Sequence, residues 1–228
     1  MFLARLCNAP YKDGEIAAGS IARQMRMKTV LALAGLMLAG ALSGCTSVGT
    51  LFTDAYGSKM DAGYQLPAIP IYKVPEQYRR QEVTFETDEA PGTIIIDTED
   101  HHLYFVEGGG KAIRYGIGVG REGFGWKGVR HVALKREWPT WTPPSAMIHR
   151  QPELAKYRDG MDPGLMNPLG ARALYLFSKQ GDTGYRIHGS PEWWSIGKNV
   201  SSGCIRLMNQ DIIDLYNRAD VGAKVIVK

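Results

Sequence analysis

From Gly92 onward the chain is cut into short β-branched and aromatic runs, each closed by a turn residue, and this spacing constrains the fold most. Thr93–Asp97 and Leu103–Val106 read as two strands of a hairpin turned by Thr98–His101. Gly108–Gly110 then leads into Ala112–Val119, whose period-two alternation suits a sheet with one buried face. Val129–Leu134, Ala173–Phe177, Tyr185–His188 and Ala223–Val227 are further strands. The one helix expected is Asn209 to Ala219, with Asn209 as N-cap and an apolar stripe of Ile212, Ile213, Leu215, Tyr216 and Ala219. The prediction is an all-β domain, a sandwich or barrel with one short helix near its C-terminus, over residues 92–228.

The preceding residues read differently. Arg23–Lys28 is basic, Thr29–Leu42 is apolar and uncharged, and Leu42-Ser43-Gly44-Cys45 closes the run. That apolar stretch falls short of the roughly 20 residues of a transmembrane helix and suits the core of a secretory signal. The four closing residues resemble the lipobox of bacterial lipoproteins, which makes Cys45 the expected lipidation site and a membrane lipid anchor the expected tether. The competing reading is ordinary signal cleavage with Cys45 incidental. Residues 1–45 are therefore expected to be a leader, with Met25 or Met27 a more natural start, and 46–91, rich in Gly, Pro and Tyr, a tether. Of the 27 basic and 23 acidic residues, residues 1–45 hold five and two, leaving 22 against 21. The body is thus nearly neutral, and composition gives no support to nucleic-acid binding.

Of three cysteines, Cys7 lies in the leader and Cys45 at its end, so Cys204 would be the single thiol of an exported domain. Paired cysteines are the rule in oxidising compartments, and an unpaired one is either a small buried hydrophobe or a reactive group. Its neighbours favour reactivity. Ile187-His188-Gly189 ends a strand, and Ser201-Ser202-Gly203-Cys204-Ile205-Arg206-Leu207 follows after a loop. A thiol is mostly protonated at neutral pH and needs a base, and an imidazole titrates in the right range. Neighbouring strands would bring His188 to Cys204. Gly203 permits close approach, N–H groups there could face an oxyanion, and Arg206 shares the side of Cys204 and could hold a carboxylate.

This pattern resembles the L,D-transpeptidases of the bacterial cell wall, the YkuD domain family. Gly118-Val119-Gly120, Trp138–Pro144 and Met166–Tyr175 agree with the same resemblance. It implies Cys204 as nucleophile and His188 as general base and acid. It further implies that the Gly189 carbonyl orients the ring and that Gly203, Cys204 and Arg206 assist at the oxyanion. Ser202 stands where many members carry a second His. The implied donor is a peptidoglycan tetrapeptide stem cut before its terminal D-Ala. The implied acceptor is a stem-peptide amine giving a 3→3 cross-link, a D-amino acid, a lipoprotein lysine or water. No metal or organic cofactor is expected, and the expected site of action is the periplasm, lipid-anchored at the outer membrane. A hydrolase of the same fold and a non-catalytic peptidoglycan-binding lipoprotein are the alternatives. His101-His102 is expected in a solvated turn rather than at a metal, His131 and His149 at the surface, and Trp193-Trp194 either in the core or at a rim.

Overall fold

The computed structural model describes residues 55–228. The leader residues 1–45, Cys45 among them, lie outside the described residues. In chain order the elements are β1 (Lys59–Asp61), β2 (Tyr64–Leu66), β3 (Gln81–Thr84), β4 (Ile94–Asp97), β5 (His102–Gly108), β6 (Lys111–Gly116), β7 (Val119–Gly120), β8 (Gly128–Glu137), the helix α1 (Ser145–Arg150), β9 (Arg172–Ser178), β10 (Gly181–Ser190), β11 (Asn199–Ser201), β12 (Ile205–Met208), the helix α2 (Asn209–Arg218) and β13 (Lys224–Val227).

Nine strands form one mixed sheet in the order β12-β10-β9-β8-β13-β4-β5-β6-β3. The sheet curls on itself in a sandwich-like form: Gly118, just past β6, bridges to Arg206 in β12 at the far end of the order. Inward residues from almost every strand meet in one core, with Ile94, Ile96, Leu103, Tyr115, Leu174, Leu176, Ile187, Leu207 and Val225 sealed from solvent. Helix α2 closes this core with Ile212 and Leu215, joined by Ala219 just past its end, while Ile213 points to a separate cluster with Leu66, Trp138 and Ala171. The expected strands and the β4–β5 hairpin, in register Asp97↔His102, are present.

Four expectations need correction. Residues 55–91 are not a tether but a belt that packs onto the domain: Tyr56, Ile69 and Val74 share a core cluster with Ile196 and Met208. Three arginine–carboxylate contacts, largely withdrawn from solvent, clamp the belt. Arg172 holds Asp61 with both nitrogens at 2.7 and 2.9 Å, and Arg80 reaches Asp214 at 3.2 Å and Asp211 at 3.8 Å. The Arg80 N–H donates to the Tyr56 hydroxyl at 2.8 Å, and that hydroxyl donates to Asp211 at 3.2 Å. Asn209 is not the cap of α2, which lies at Met208; its Oδ1 instead accepts the Ala171 N–H at 2.9 Å and ties the start of β9 to the helix. A second short helix, α1, is present, and His102 is buried at the head of β5 with its Nε2 at 3.0 Å from the Gln77 carbonyl, leaving only His101 in the turn.

Candidate active site

The site follows from one pairing. β10 and β12 run parallel with Ile187 opposite Ile205 and His188 opposite Arg206, which sets Cys204, just before β12, beside the end of β10. Successive side chains of a strand alternate between faces. Gly184, Arg186, His188 and Ser190 accordingly share one face of β10, and all line an open cleft of about 710 Å³ together with Cys204 and Arg206. The opposite wall comes from the segment between β8 and β9, with Trp141, Met147, Leu154, Met166 and Leu169. Buried Asn167 organises that segment: its amide nitrogen reaches the carbonyls of Pro139, Met161 and Asp162 at 3.1, 3.2 and 3.0 Å.

His188 is buried, and its Nδ1 lies 2.6 Å from the Gly189 carbonyl. A carbonyl only accepts, so Nδ1 carries the proton and the neutral ring keeps its lone pair on Nε2. Burial drives the imidazole pKa down to about 4; the Gly189 carbonyl opposes this, and the charges of Arg206 and Arg186 reinforce it. Gly189 is required for the close packing beneath the ring, since a Cβ there would run into Asn209 Oδ1 and lie 2.8 Å from Ile212 Cγ2.

The Cys204 thiol is half-buried, and its Sγ faces the Gly184 carbonyl at 4.0 Å. Burial pushes the thiol pKa up, against the Arg186 main-chain N–H and the charges of Arg186 and Arg206, which favour the thiolate. The resting pair is thus a thiol and a neutral imidazole. Gly203, at φ +111°, makes the sharp turn into Cys204, and its carbonyl accepts Trp126 Nε1–H at 3.0 Å. The Gly203 N–H donates to Ser201 Oγ at 3.1 Å. Ser201 Oγ in turn donates to the Cys204 carbonyl at 2.6 Å, so this buried serine pins the turn from inside. Arg206 pairs with Glu192 at 2.8 Å and keeps a buried Nε with no hydrogen-bond partner.

The five residues singled out from sequence, Cys204, His188, Gly189, Gly203 and Arg206, thus converge, with Gly189 and Gly203 shaping the backbone. Sequence reasoning missed Arg186, Ser201 and the stacked Trp126–Tyr185 pair, whose rings lie 4.6 Å apart behind Gly203. Counting two residues back from His188 along its strand would have found Arg186. The tryptophan pair divides: Trp193 packs against the belt's core cluster and Trp194 stands exposed at the cleft rim. His101 lies outside the cleft, bonded to Asn199 Oδ1 at 2.7 Å.

The YkuD model, the L,D-transpeptidase catalytic domain, matches residues 91–227. The chain is 32% identical over 166 residues to the probable L,D-transpeptidase YbiS of Escherichia coli K12, covering 68% of this chain and 48% of that protein. It is 32% identical over 138 residues to the probable L,D-transpeptidase ErfK/SrfK of Salmonella typhimurium, covering 58% of this chain and 42% of that protein. The chain thus spans about half the length of these curated relatives. Among solved structures, it is similar to a Brucella melitensis protein described as a probable carnitine operon oxidoreductase, with 45% identity, 70% of this chain and 99% of that chain covered, and a TM-score of 0.48. It is also similar to an L,D-transpeptidase from Mycobacterium smegmatis, with 22% identity, 60% and 58% covered, and a TM-score of 0.44.

Proposed function

Because the chain belongs to the YkuD L,D-transpeptidase catalytic-domain family, we propose that it is an exported cysteine acyltransferase acting on peptidoglycan tetrapeptide stems. One observation carries this reading. A buried, neutral His188 with its proton fixed on Nδ1 presents a free Nε2 in the same cleft as the single described thiol, Cys204.

Cys204 gives its proton to His188 Nε2 as the sulfur attacks the carbonyl of the third stem residue. The C–N bond to D-Ala breaks, and the imidazolium returns the proton to the leaving amine. An acceptor amine then attacks the thioester, loses its proton to His188 and frees the thiol. The Gly189 carbonyl stabilises the transient imidazolium through Nδ1–H. Arg206, with its unpartnered Nε, and the N–H of Cys204 are the donors proposed for the developing oxyanion. A stem-peptide amine as acceptor gives a 3→3 cross-link; a D-amino acid or a lipoprotein lysine gives amide exchange.

For location, residues 1–45 are read as a lipoprotein leader and Cys45 as the acylated residue, which anchors the domain at the periplasmic side of a membrane. Among the described residues no helix is long and apolar enough to cross a membrane.

Incubation with disaccharide-tetrapeptide, followed by mass spectrometry, tests the reading. Loss of D-Ala with formation of a dimer is expected, and loss of D-Ala with tripeptide alone identifies a hydrolase. Cys204→Ala should abolish turnover, His188→Gln should lower acylation by about 10²-fold or more, and Cys45→Ala should only relocate the protein. Substantial turnover by Cys204→Ala, or wild-type acylation by His188→Gln, would remove the mechanism.

A further inference from the structure

Arg186 lines the cleft, but the carboxylate that holds it does not. Its guanidinium lies over the Tyr175 ring at 4.1 Å, and its two terminal nitrogens pair with the two oxygens of Asp182 at 2.7 and 2.8 Å. Asp182 sits at the exposed end of β10, where the pairing with β9 shifts register between residues 182 and 186. The same carboxylate accepts the Gly184 N–H at 2.9 Å, so one side chain closes the 182–186 turn at two points. The Gly184 carbonyl on that turn is the group that faces the Cys204 thiol at 4.0 Å. A planar guanidinium fork matches any carboxylate in this two-point geometry, and an ion pair with an exposed partner is held weakly enough to exchange.

From this arrangement we infer that the Arg186 fork is a carboxylate subsite of the cleft, which Asp182 fills until a carboxylate of the acyl donor displaces it. Displacement opens the 182–186 turn and withdraws the Gly184 carbonyl from the thiol, leaving the sulfur free to deliver its proton to His188. Asp182 is then a self-capping group, and Arg186 a specificity-determining residue that favours donors with a carboxylate one side chain away from the attacked carbonyl. The assignment of the displacing group to an acyl donor rests on the function proposed above; the anion subsite itself does not.

Alkylation of Cys204 by iodoacetate and by iodoacetamide tests the subsite without any peptidoglycan substrate. Both reagents form the same S–C bond with loss of iodide and differ in a carboxylate against a neutral amide. The ratio of their rates therefore cancels the thiolate fraction and reads anion recognition alone. In the full chain, with adducts read on the Cys204 peptide by mass, Asp182→Asn should raise the iodoacetate-to-iodoacetamide ratio about fivefold, the scale of an exposed ion pair. Arg186→Gln should lower it by a similar factor, and Arg186→Lys, which keeps the charge but loses the fork, should stay near the Gln value. An unchanged ratio in Asp182→Asn overturns the proposal, even where Arg186→Gln fails to fold. Full recovery by Arg186→Lys overturns it as well, since a point charge would then suffice. Absence of turnover on disaccharide-tetrapeptide alongside a shifted ratio would overturn the enzyme reading and leave the anion subsite standing.

Discussion

The belt and the cleft are both built on arginines held by carboxylates, and they differ in where the carboxylate stands. Under the belt, Arg172 and its partner Asp61 are both withdrawn from solvent, with Asp61 only 14% exposed. At the cleft, Arg186 and Arg206 are held by Asp182 and Glu192, whose side chains are 44% and 49% exposed. A buried pair cannot lose one member without stranding a charge, whereas an exposed partner is replaced by water or by another anion at little cost. The same chemical pair therefore serves as a clamp in one place and as an exchangeable contact in the other.

A second contrast runs through the buried titratable groups. Asp211 beneath the belt and His188 beneath the cleft are both pushed towards their neutral forms chiefly by burial, Asp211 up to about 7 and His188 down to about 4. Their linkage has opposite signs. Between about pH 4 and 7 folded Asp211 keeps a proton that the unfolded chain releases, so its contribution to stability falls as pH rises. Between about pH 4 and 6.5 the unfolded chain binds a proton at His188 that the folded one refuses, so that contribution rises with pH.

Breaking the clamp should have the largest effect. Arg172→Ala should cost about 3 kcal/mol in urea unfolding, because it removes both guanidinium donors of Asp61 and leaves that carboxylate only Trp138 Nε1–H, and Asp61→Asn should be milder, since the amide still accepts from Arg172. An Arg172→Ala loss below 1 kcal/mol would erase the distinction between clamp and exchangeable contact. Next come the pH slopes, each at most about 1.4 kcal/mol per pH unit. From pH 4.5 to 6.5 the stability of Asp211→Asn should rise more steeply than wild type and that of His188→Gln should fall relative to it, as read from unfolding midpoints. Parallel profiles would show that burial does not shift these groups. The smallest effect belongs to the cleft rim: Glu192→Gln should change stability by no more than about 1 kcal/mol in thermal or urea unfolding. A loss as large as that of Arg172→Ala would make Arg206–Glu192 a clamp too.

What could be read from sequence depends on how local the determining contacts are. The β4–β5 hairpin, the β10 end and the Gly203–Cys204 turn are specified by neighbours within a few residues, and their expected positions agree with the structure. The belt was illegible because its order comes from single residues docking far away: Tyr56 to Asp211 and Asp61 to Arg172 span 155 and 111 residues and leave no periodic trace. Asn209 carried a capping signal, yet the Ala171 N–H competes for the same oxygen and holds it. At the site, the convergence of Cys204 and His188 in one cleft was legible from type and spacing. Arg186 was read only as part of a strand, and the occupied Gly203 N–H depends on the rotamer of Ser201, which sequence does not express.

The position of β13 has a consequence for how the polypeptide is made. This strand, last in chain order among the described ones, lies in the middle of the sheet, parallel to β4 and antiparallel to β8. During vectorial synthesis or passage through a translocation channel, Ile94–Ile96 must wait for Val225–Val227 before the two halves of the sheet can join. Until then β4 and β8 present unpaired edges, so the chain is unable to complete its fold on the ribosome before residue 227 has emerged. A delay of that kind keeps a polypeptide threadable, and it also makes Lys224–Val227 the place where a frameshift or clipping would leave an open, aggregation-prone sheet.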